Sequence, residues 1–207
     1  MRHGQIAANL TRHWHGSTDS ELTEVGHQQA SCVARALAAE AAGASAIYAS
    51  PLRRARATAE PIAAALGLPL RIEPAFAEYS LGQREGALYF DLVREGFFKR
   101  IEQDPDHAPP DGESPRAVVS RMTAALVRVA QEHADGDSVI VVSHGAALGL
   151  AIAELVGGDH RTWFDYHMHN CGLTELALRP QPRLVRFNET GHLQSLQAGL
   201  QAGLQDG

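Results

Sequence analysis

Cysteine is scarce in this chain, with only Cys32 and Cys171 among its 207 residues. Two cysteines cannot build the dense disulfide framework of many small secreted domains, so a reducing compartment is the simpler interpretation. No basic segment followed by an apolar one precedes the first conspicuous motif, and the sequence therefore predicts no signal peptide. We expect a cytoplasmic protein.

A surplus of positive charge is also lacking, because 18 Lys and Arg stand against 24 Asp and Glu. Nucleic-acid-binding proteins usually carry a basic surplus, so we expect no nucleic-acid partner. The longest candidate for a membrane span, residues 138–158, contains His144 within a Ser-His-Gly turn. This stretch predicts a buried strand, a turn and a helix, and we expect no membrane partner.

Length and composition predict one globular domain, since 44% of the residues are hydrophobic. We assign residues 1–190 to this domain and residues 191–207, which repeat Leu-Gln-Ala-Gly, to a low-complexity tail. Short apolar strands alternate with helical patterns, which predicts an α/β fold, a three-layer α/β/α sandwich with a mostly parallel sheet. Ligands of such folds bind beside the carboxyl ends of the strands.

Three stretches carry specific local predictions. Residues 138–142 are almost wholly β-branched and apolar, which predicts a strand buried on both faces. Residues 5–19 are polar and rich in histidine, and they predict a loop. Residues 88–102 predict one helix, whose apolar side comprises Phe90, Val93, Phe97 and Ile101.

The first residues, Met1-Arg2-His3-Gly4, combine three side-chain properties suited to phosphate chemistry. Arginine keeps its charge and binds phosphate oxygens through paired donors. A neutral imidazole offers a ring nitrogen that can act as a nucleophile. Glycine permits a tight backbone turn beside them. A triplet this short recurs by chance, so its meaning depends on the rest of the chain.

Three later stretches complete a pattern with this triplet: Ser50-Pro-Leu-Arg-Arg-Ala-Arg-Ala-Thr-Ala59, Glu78-Tyr-Ser-Leu-Gly82 and Val139-Ile-Val-Val-Ser-His-Gly145. In this order they resemble the histidine phosphatase superfamily, also called the phosphoglycerate mutase-like family, in its small phosphatase branch. The resemblance extends from Arg2 to about Asn188. In that family the triplet ends a central strand. Because only Met1 precedes it here, we expect the first strand to be truncated.

The resemblance implies a phosphatase that hydrolyses small phosphate monoesters through a phosphohistidine intermediate. It implies a metal-independent enzyme of the histidine acid-type class, with no cofactor and a small phosphorylated substrate as partner. The catalytic residues implied are His3 as nucleophile, Glu78 as the acid for the leaving oxygen, and His144 completing the pocket. The residues implied to bind the substrate phosphate are Arg2, Asn9, Arg54 and Gly145.

Several residue assignments have rivals nearby. Glu73 and Glu85 compete with Glu78 for the role of acid, and Arg53 and Arg56 compete with Arg54 for the phosphate. Gln5 and Ile6 stand where the family usually has an acidic and a hydroxyl residue. Exposed loop residues are the preferred interpretation of His13, Trp14 and His15, with a substrate mouth as the alternative. His167 and His169 form a candidate metal pair, but a packing role is favoured because no third ligand is evident.

Two other functions stay open beside hydrolysis. The first is phosphoglycerate mutase-type phosphoryl transfer, which requires a more enclosed site that retains the phosphoryl group. The modest segment between Glu78 and Glu113 favours hydrolysis over this alternative. The second is a catalytically silent module that binds a phosphorylated ligand, an interpretation that the short first strand supports. A homodimer is left open.

Overall fold

The computed structural model describes residues 1–40, 43–196 and 198. Its α-helices are α1 (Ala7–Thr11), α2 (Glu24–Glu40), α3 (Arg53–Leu66), α4 (Tyr89–Arg94), α5 (Phe97–Gln103), α6 (Pro115–Gln131) and α7 (Gly145–Ile152). Its strands are β1 (Ala44–Ala49), β2 (Leu70–Ile72), β3 (Ser138–Val142), β4 (Leu173–Ala177) and β5 (Arg183–Glu189). Short 3-10 helices are Pro74–Phe76, Gly82–Arg84, His160–Tyr166 and Gly191–Leu193, and a π-helical turn, Ala153–Gly157, extends α7.

Helix ends follow local chemistry that is visible in the sequence. The hydroxyl of Thr23 accepts a hydrogen bond from the backbone N–H of Gly26 at 3.1 Å, which caps the start of α2. Ser114 caps α6 in the same way, with Pro115 as the first helical residue. Gly67 ends α3 with a φ of 66°, a left-handed conformation that glycine adopts without strain.

A parallel sheet of order β2-β1-β3 separates two helical layers. Side chains of β1 alternate between the layers, because successive residues of a strand point to opposite faces. Ala46 and Tyr48 pack in the cluster formed mainly by α6 and α7. Ile47 and Ala49 pack in the cluster formed by α2 and α3. The predicted three-layer α/β fold is confirmed.

The chain start lies against the carboxyl end of β3. Arg2 pairs with Ser143 in a parallel bridge, and the N–H of His3 donates to the carbonyl oxygen of Ser143 at 3.0 Å. The N–H of Cys171 donates to the carbonyl oxygen of Arg2 at 3.1 Å from the other side. The expected short first strand is therefore present only as this bridge, and it is tied down on both sides.

The prediction that residues 138–142 are buried on both faces is wrong. Within the described residues only Val142 of this strand is buried, while Val139, Ile140 and Val141 are half-exposed. The reason is that Met1–His3 cover only the last part of this edge of β3. The central strand of the described sheet is β1, whose last four residues are buried.

Two other local predictions are corrected. The predicted loop over residues 5–19 contains the short helix α1. The single helix predicted over residues 88–102 is two helices, because Gly96 adopts a φ of 70° between α4 and α5. Of the predicted apolar side, Phe97 and Ile101 are buried, whereas Phe90 is 73% exposed and Val93 is 49% exposed.

The last part of the chain forms a separate two-stranded antiparallel sheet of β4 and β5. Beyond it, the 3-10 helix Gly191–Leu193 buries Leu193 in the cluster of α2 and α3. Most of the Leu-Gln-Ala-Gly repeat lies outside the described residues. Among the described residues, no helix is both long and apolar enough to cross a membrane.

Candidate active site

Several of the predicted site residues lie at the carboxyl ends of parallel strands. Arg2 and His3 follow the bridge beside β3, Ser50 follows β1, and His144 follows β3. These ends meet at one edge of the sheet, so residues distant in sequence become neighbours. The rings of His3 and His144 lie with their centroids 5.1 Å apart.

His3 is held as one defined tautomer. Its Nδ1 lies 2.7 Å from the carbonyl oxygen of Gly4, and because that oxygen can only accept, Nδ1 must carry the proton. The lone pair is therefore on Nε2. Burial lowers the pKa of His3 well below its usual range, and the cations of Arg54 and Arg2 lower it further. The ring is thus neutral at physiological pH, with Nε2 as a nucleophile.

Two residues to which the sequence analysis gave no role fix the backbone around His3. The hydroxyl of Thr58 accepts the N–H of Gly4 at 2.9 Å and donates to the carbonyl oxygen of Arg54 at 2.7 Å. The amide of Asn170 donates to the carbonyl oxygen of His3 at 3.0 Å. Gly4 also packs closely on α2, since a Cβ there would lie 2.6 Å from the carbonyl oxygen of Gly26. These contacts orient the carbonyl that fixes the tautomer.

Arg2 presents part of its guanidinium group to the site. One terminal nitrogen, Nη1, donates to the carbonyl oxygen of Met168 at 2.7 Å. Its Nε is buried and has no acceptor among the described residues. A Cβ at Gly145 would lie 3.4 Å from this Nε, so the first residue of α7 is adjacent to the guanidinium group. The N–H of Gly145 is likewise without an acceptor in the described part of the chain.

Glu78 sits at the start of α7. Its carboxylate accepts the N–H groups of Ala147 at 2.8 Å and Ala146 at 3.2 Å. It also accepts the N–H of Tyr79 at 2.9 Å. Helix N-termini favour such a negative group, because their first N–H groups lack partners within the helix. The side chain is 9% exposed and faces the same cavity as His3.

His144 and Arg54 lie beneath the cavity surface. The Nδ1 of His144 accepts from the Nε of Arg54 at 3.2 Å, which leaves its Nε2–H to donate to the hydroxyl of Ser50 at 2.7 Å. Burial lowers the pKa of His144 well below its usual range, and the charge of Arg54 lowers it further. Both ring nitrogens are thus occupied by protein groups, and His144 supports the face of His3.

Arg54 donates four of its five N–H groups to the protein. Besides His144, they reach the carbonyl oxygens of Thr18 at 2.6 Å, Gly16 at 2.7 Å and His15 at 3.0 Å. This side chain is completely buried. In this arrangement Arg54 anchors residues 15–18, and at most one N–H remains for a phosphate oxygen.

Glu85 holds the same loop from the opposite side. Its carboxylate accepts the N–H groups of Gly16 at 2.9 Å, Ser17 at 3.0 Å and Thr18 at 3.0 Å. Burial would raise the pKa of Glu85, but these bonds and the Thr18 hydroxyl give a net lowering. Residues 15–18 are thus fixed between a buried cation and a carboxylate. Because its carboxylate is bound to this loop, Glu85 is not a candidate for the catalytic acid in place of Glu78.

Two other rivals, Glu73 and Arg53, also have structural partners. Glu73 caps a 3-10 helix by accepting the N–H of Ala75 at 2.9 Å, and it pairs with Arg128. Arg53 is exposed and pairs with Glu21 at 2.6 Å.

Asn9 faces the cavity, and its Oδ1 accepts the N–H of Ile6 at 3.0 Å. The Nδ2 of Asn9 has no acceptor among the described residues.

The candidate site opens into a cavity of about 410 Å³. Of the predicted site residues, Arg2, His3, Asn9, Glu78 and Gly145 line it. His13, Trp14 and His15 are half-buried and also line it, so the preferred interpretation of these three as exposed loop residues is wrong. Their backbone is held against residues 86–88, because His13 forms an antiparallel bridge with Leu88 and the N–H of Trp14 donates to the carbonyl oxygen of Ala87 at 2.8 Å.

Comparison with models of protein families identifies the family of this chain. The model of the histidine phosphatase superfamily (branch 1) matches residues 1–190. The chain belongs to this superfamily.

Individual members of the histidine phosphatase superfamily resemble the chain over nearly its full length. A "putative phosphoserine phosphatase 2" of Hydrogenobacter thermophilus is 29% identical over 95% of this chain and 97% of its own. A "probable phosphoglycerate mutase GpmB" of Yersinia pestis is 33% identical over 89% of this chain and 86% of its own. The crystal structure of phosphoserine phosphatase from Entamoeba histolytica with 3-phosphoglyceric acid has a TM-score of 0.81 at 30% identity, covering 93% and 96% of the two chains.

His167 and His169 do not form a complete metal site in this histidine phosphatase. Their ring centroids are 6.2 Å apart. The described part of the chain contains no group of three or more His, Cys, Asp or Glu side chains that could hold a metal ion. Met168 between them is buried, and its carbonyl oxygen accepts a hydrogen bond from Arg2, whereas His167 and His169 are both exposed. The packing role that the sequence favoured for the two histidines therefore belongs to Met168.

The sequence analysis missed Thr58 and Asn170, and only one of the two has a signal in the sequence. Thr58 lies in the second motif, four residues after Arg54, so it shares one face of α3 with that side chain. Asn170 follows the His-Met-His segment with no spacing signal of its own. Only the fold brings it against His3, across 167 positions of sequence.

Proposed function

We propose that this protein is a phosphatase that hydrolyses small phosphate monoesters through a phosphohistidine on His3. The observation that carries the proposal is the fixed tautomer of His3. Its Nδ1–H is bound to the Gly4 carbonyl oxygen, so the lone pair of Nε2 is available beside the unpartnered Nε of Arg2. A nucleophile needs this combination of lone pair and neighbouring cation to attack a charged phosphate.

In the first step, Nε2 of His3 forms a bond to phosphorus while the bond from phosphorus to the ester oxygen breaks. Glu78 delivers a proton to the departing oxygen, which leaves as an alcohol, and becomes the carboxylate that the N–H groups at the start of α7 stabilise. Arg2, the amide of Asn9 and the N–H of Gly145 stabilise the phosphoryl oxygens. In the second step, water attacks phosphorus, Glu78 takes its proton, and the bond to Nε2 breaks to release phosphate.

Metal independence belongs to this proposal. The charge that develops on the phosphoryl group is balanced by Arg2 and by N–H donors, and the step needs no Lewis acid. Arg54 contributes mainly by anchoring residues 15–18 and His144. We also propose a cytoplasmic location, which two free, buried thiols support. A homodimer stays a prediction.

Mutase activity is the second candidate, because relatives named as probable phosphoglycerate mutases are up to 33% identical to this chain. A mutase must keep water out while it holds the phosphoryl group. Here the mouth of the cavity is open, with Tyr89 40% and Phe164 43% exposed. An open mouth favours water as the acceptor and therefore hydrolysis.

The experiment compares the wild-type protein with His3→Ala and with His27→Ala, an exposed histidine on α2 that serves as the matched control. Each protein is incubated with nitrophenyl phosphate and with 3-phosphoglycerate, and free phosphate and 2-phosphoglycerate are measured. Hydrolysis predicts phosphate release by the wild type and the control, but not by His3→Ala. Formation of 2-phosphoglycerate without phosphate release favours the mutase. Neither product from any ester favours the silent binding module.

A further inference from the structure

Four aromatic side chains form one wall of the cavity that contains His3. They are Trp14, Tyr89, Trp163 and Phe164. The proposed chemistry assigns no step to any of them. Tyr89 and Phe164 leave 40% and 43% of their surface exposed, which is unusual for large aromatic residues that serve only packing. We call these four residues the aromatic wall.

The aromatic wall is supported from behind. Phe98 of α5 is buried, and its ring lies against all four members, with centroids 4.9 Å from Tyr89 and 5.3 Å from Phe164. Trp163 and Phe164 stack on each other, with centroids 3.9 Å apart and planes inclined by 29°. The rings are therefore held in place before any ligand binds, which reduces the entropy lost on binding.

The aromatic wall is also joined to the side of the site where the leaving group must depart. Trp163 packs on α7, since a Cβ at Gly149 would lie 3.0 Å from its carbonyl oxygen and 3.6 Å from its ring. The N-terminal turn of the same helix holds Glu78, the proposed acid. Glu78 and the four rings line the same cavity, so an alcohol that receives its proton from Glu78 leaves into the space that the rings border.

We propose that the aromatic wall selects phosphate monoesters whose alcohol carries a planar aromatic ring. This inference rests on the proposed phosphatase function and names its substrate class. The cavity volume of about 410 Å³ suits such a ligand, because sites for ligands of that size range from roughly 300 to 1,000 Å³. Offset or edge-to-face contact with Tyr89 and Phe164 would cover their exposed surface.

The cavity also contains Arg12, whose guanidinium group has no acceptor among the described residues. A carboxylate on the substrate is therefore the competing means of selection. Arg12 is exposed and belongs to the rim, where a charge pair is screened by water and contributes little. The four rings form a larger and more rigid surface, which is why we favour the aromatic substrate.

The test compares three esters that all release an alkyl alcohol: 2-phenylethyl phosphate, ethyl phosphate and O-phosphoserine. The wild type is expected to have a kcat/KM at least tenfold higher for 2-phenylethyl phosphate than for either of the others. Tyr89→Leu and Phe164→Leu, which keep apolar surface but remove a ring, should each lower the ratio of phenylethyl to ethyl kcat/KM several-fold.

Phe90→Leu is the matched control, because Phe90 follows Tyr89 on α4, is 73% exposed and does not line the cavity. It should change neither that ratio nor the rate with ethyl phosphate. Equal kcat/KM for all three esters, or a preference for O-phosphoserine, would overturn the inference while leaving the phosphatase function intact. Absence of phosphate from every ester would instead contradict the proposed function itself.

Discussion

Thr58 offers a sharp test of how the nucleophile is positioned. Its hydroxyl is completely buried and accepts the N–H of Gly4 at 2.9 Å. Thr58→Val keeps the shape of the side chain but removes the acceptor, so this N–H becomes a buried donor without a partner. Leaving such a donor unsatisfied costs about 1–3 kcal/mol. Since a chain of this size changes its melting temperature by about 2–4 °C per kcal/mol, the expected loss is about 2–12 °C.

The same substitution should impair catalysis. Gly4 carries the carbonyl oxygen that fixes the tautomer of His3, and a misplaced nucleophile can lose roughly 100-fold in rate. We expect kcat to fall by roughly ten- to 100-fold, with a smaller change in KM. Thermal denaturation and steady-state phosphate release measure the two effects.

Thr123→Val provides the control for both measurements. Thr123 lies in α6, and its hydroxyl donates to the carbonyl oxygen of Val119 at 2.8 Å, as Thr58 does to that of Arg54. It accepts no N–H from the described residues, so its replacement should change stability by less than about 1 kcal/mol. If Thr58→Val were as stable and as active as Thr123→Val, the proposed support of His3 through Gly4 would be refuted.

Three further outcomes are expected. Glu78→Gln should lower the rate of ethyl phosphate hydrolysis at least tenfold more than that of nitrophenyl phosphate hydrolysis, because only the poor leaving group needs a proton. Equal losses of rate with the two esters would exclude Glu78 as the acid. Below about pH 6.5, His3 and His144 bind a proton in the unfolded chain but stay neutral in the folded one, because burial lowers their pKa values. The free energy of unfolding should therefore fall as the pH falls. Urea titrations from pH 8 to 5 would measure this slope, which should be shallower in His3→Ala, and an equal slope would count against a neutral His3. EDTA should leave phosphate release unchanged, whereas inhibition that a divalent cation reverses would favour a metal at His167 and His169.

The alternation of strands and helices was enough to predict the layers of the fold. The apolar run at residues 138–142 predicted strand β3, and the cap residues Thr23 and Ser114 stand at helix starts, because such signals are local. Burial of a strand is not local. The composition of Ser138–Val142 predicts a central strand, yet its exposure depends on what lies beside it, and Met1–His3 cover only its end.

Motifs located the residues of the candidate site but not their orientation. Arg2, His3 and Gly145 face one cavity as the strand-end rule predicts, and Glu78 faces it from a loop that the rule does not cover. Arg54, in contrast, directs its donors to the carbonyl oxygens of residues 15–18, and His144 has both ring nitrogens occupied. Such pairings depend on side-chain geometry that spacing does not encode. The role of Asn170 could not be predicted at all, since only folding brings this residue to His3.

The most direct test of the account is to find which nitrogen of which histidine carries the phosphoryl group. The protein is mixed rapidly with phosphate-labelled substrate, quenched in alkali, where phosphohistidine survives, and analysed by mass spectrometry and phosphorus NMR. The account predicts one adduct, on Nε2 of His3, that is lost in acid and absent from His3→Ala, because Nδ1 is held by the Gly4 carbonyl oxygen. An adduct on Nδ1, on another residue, or undiminished in His3→Ala would contradict it.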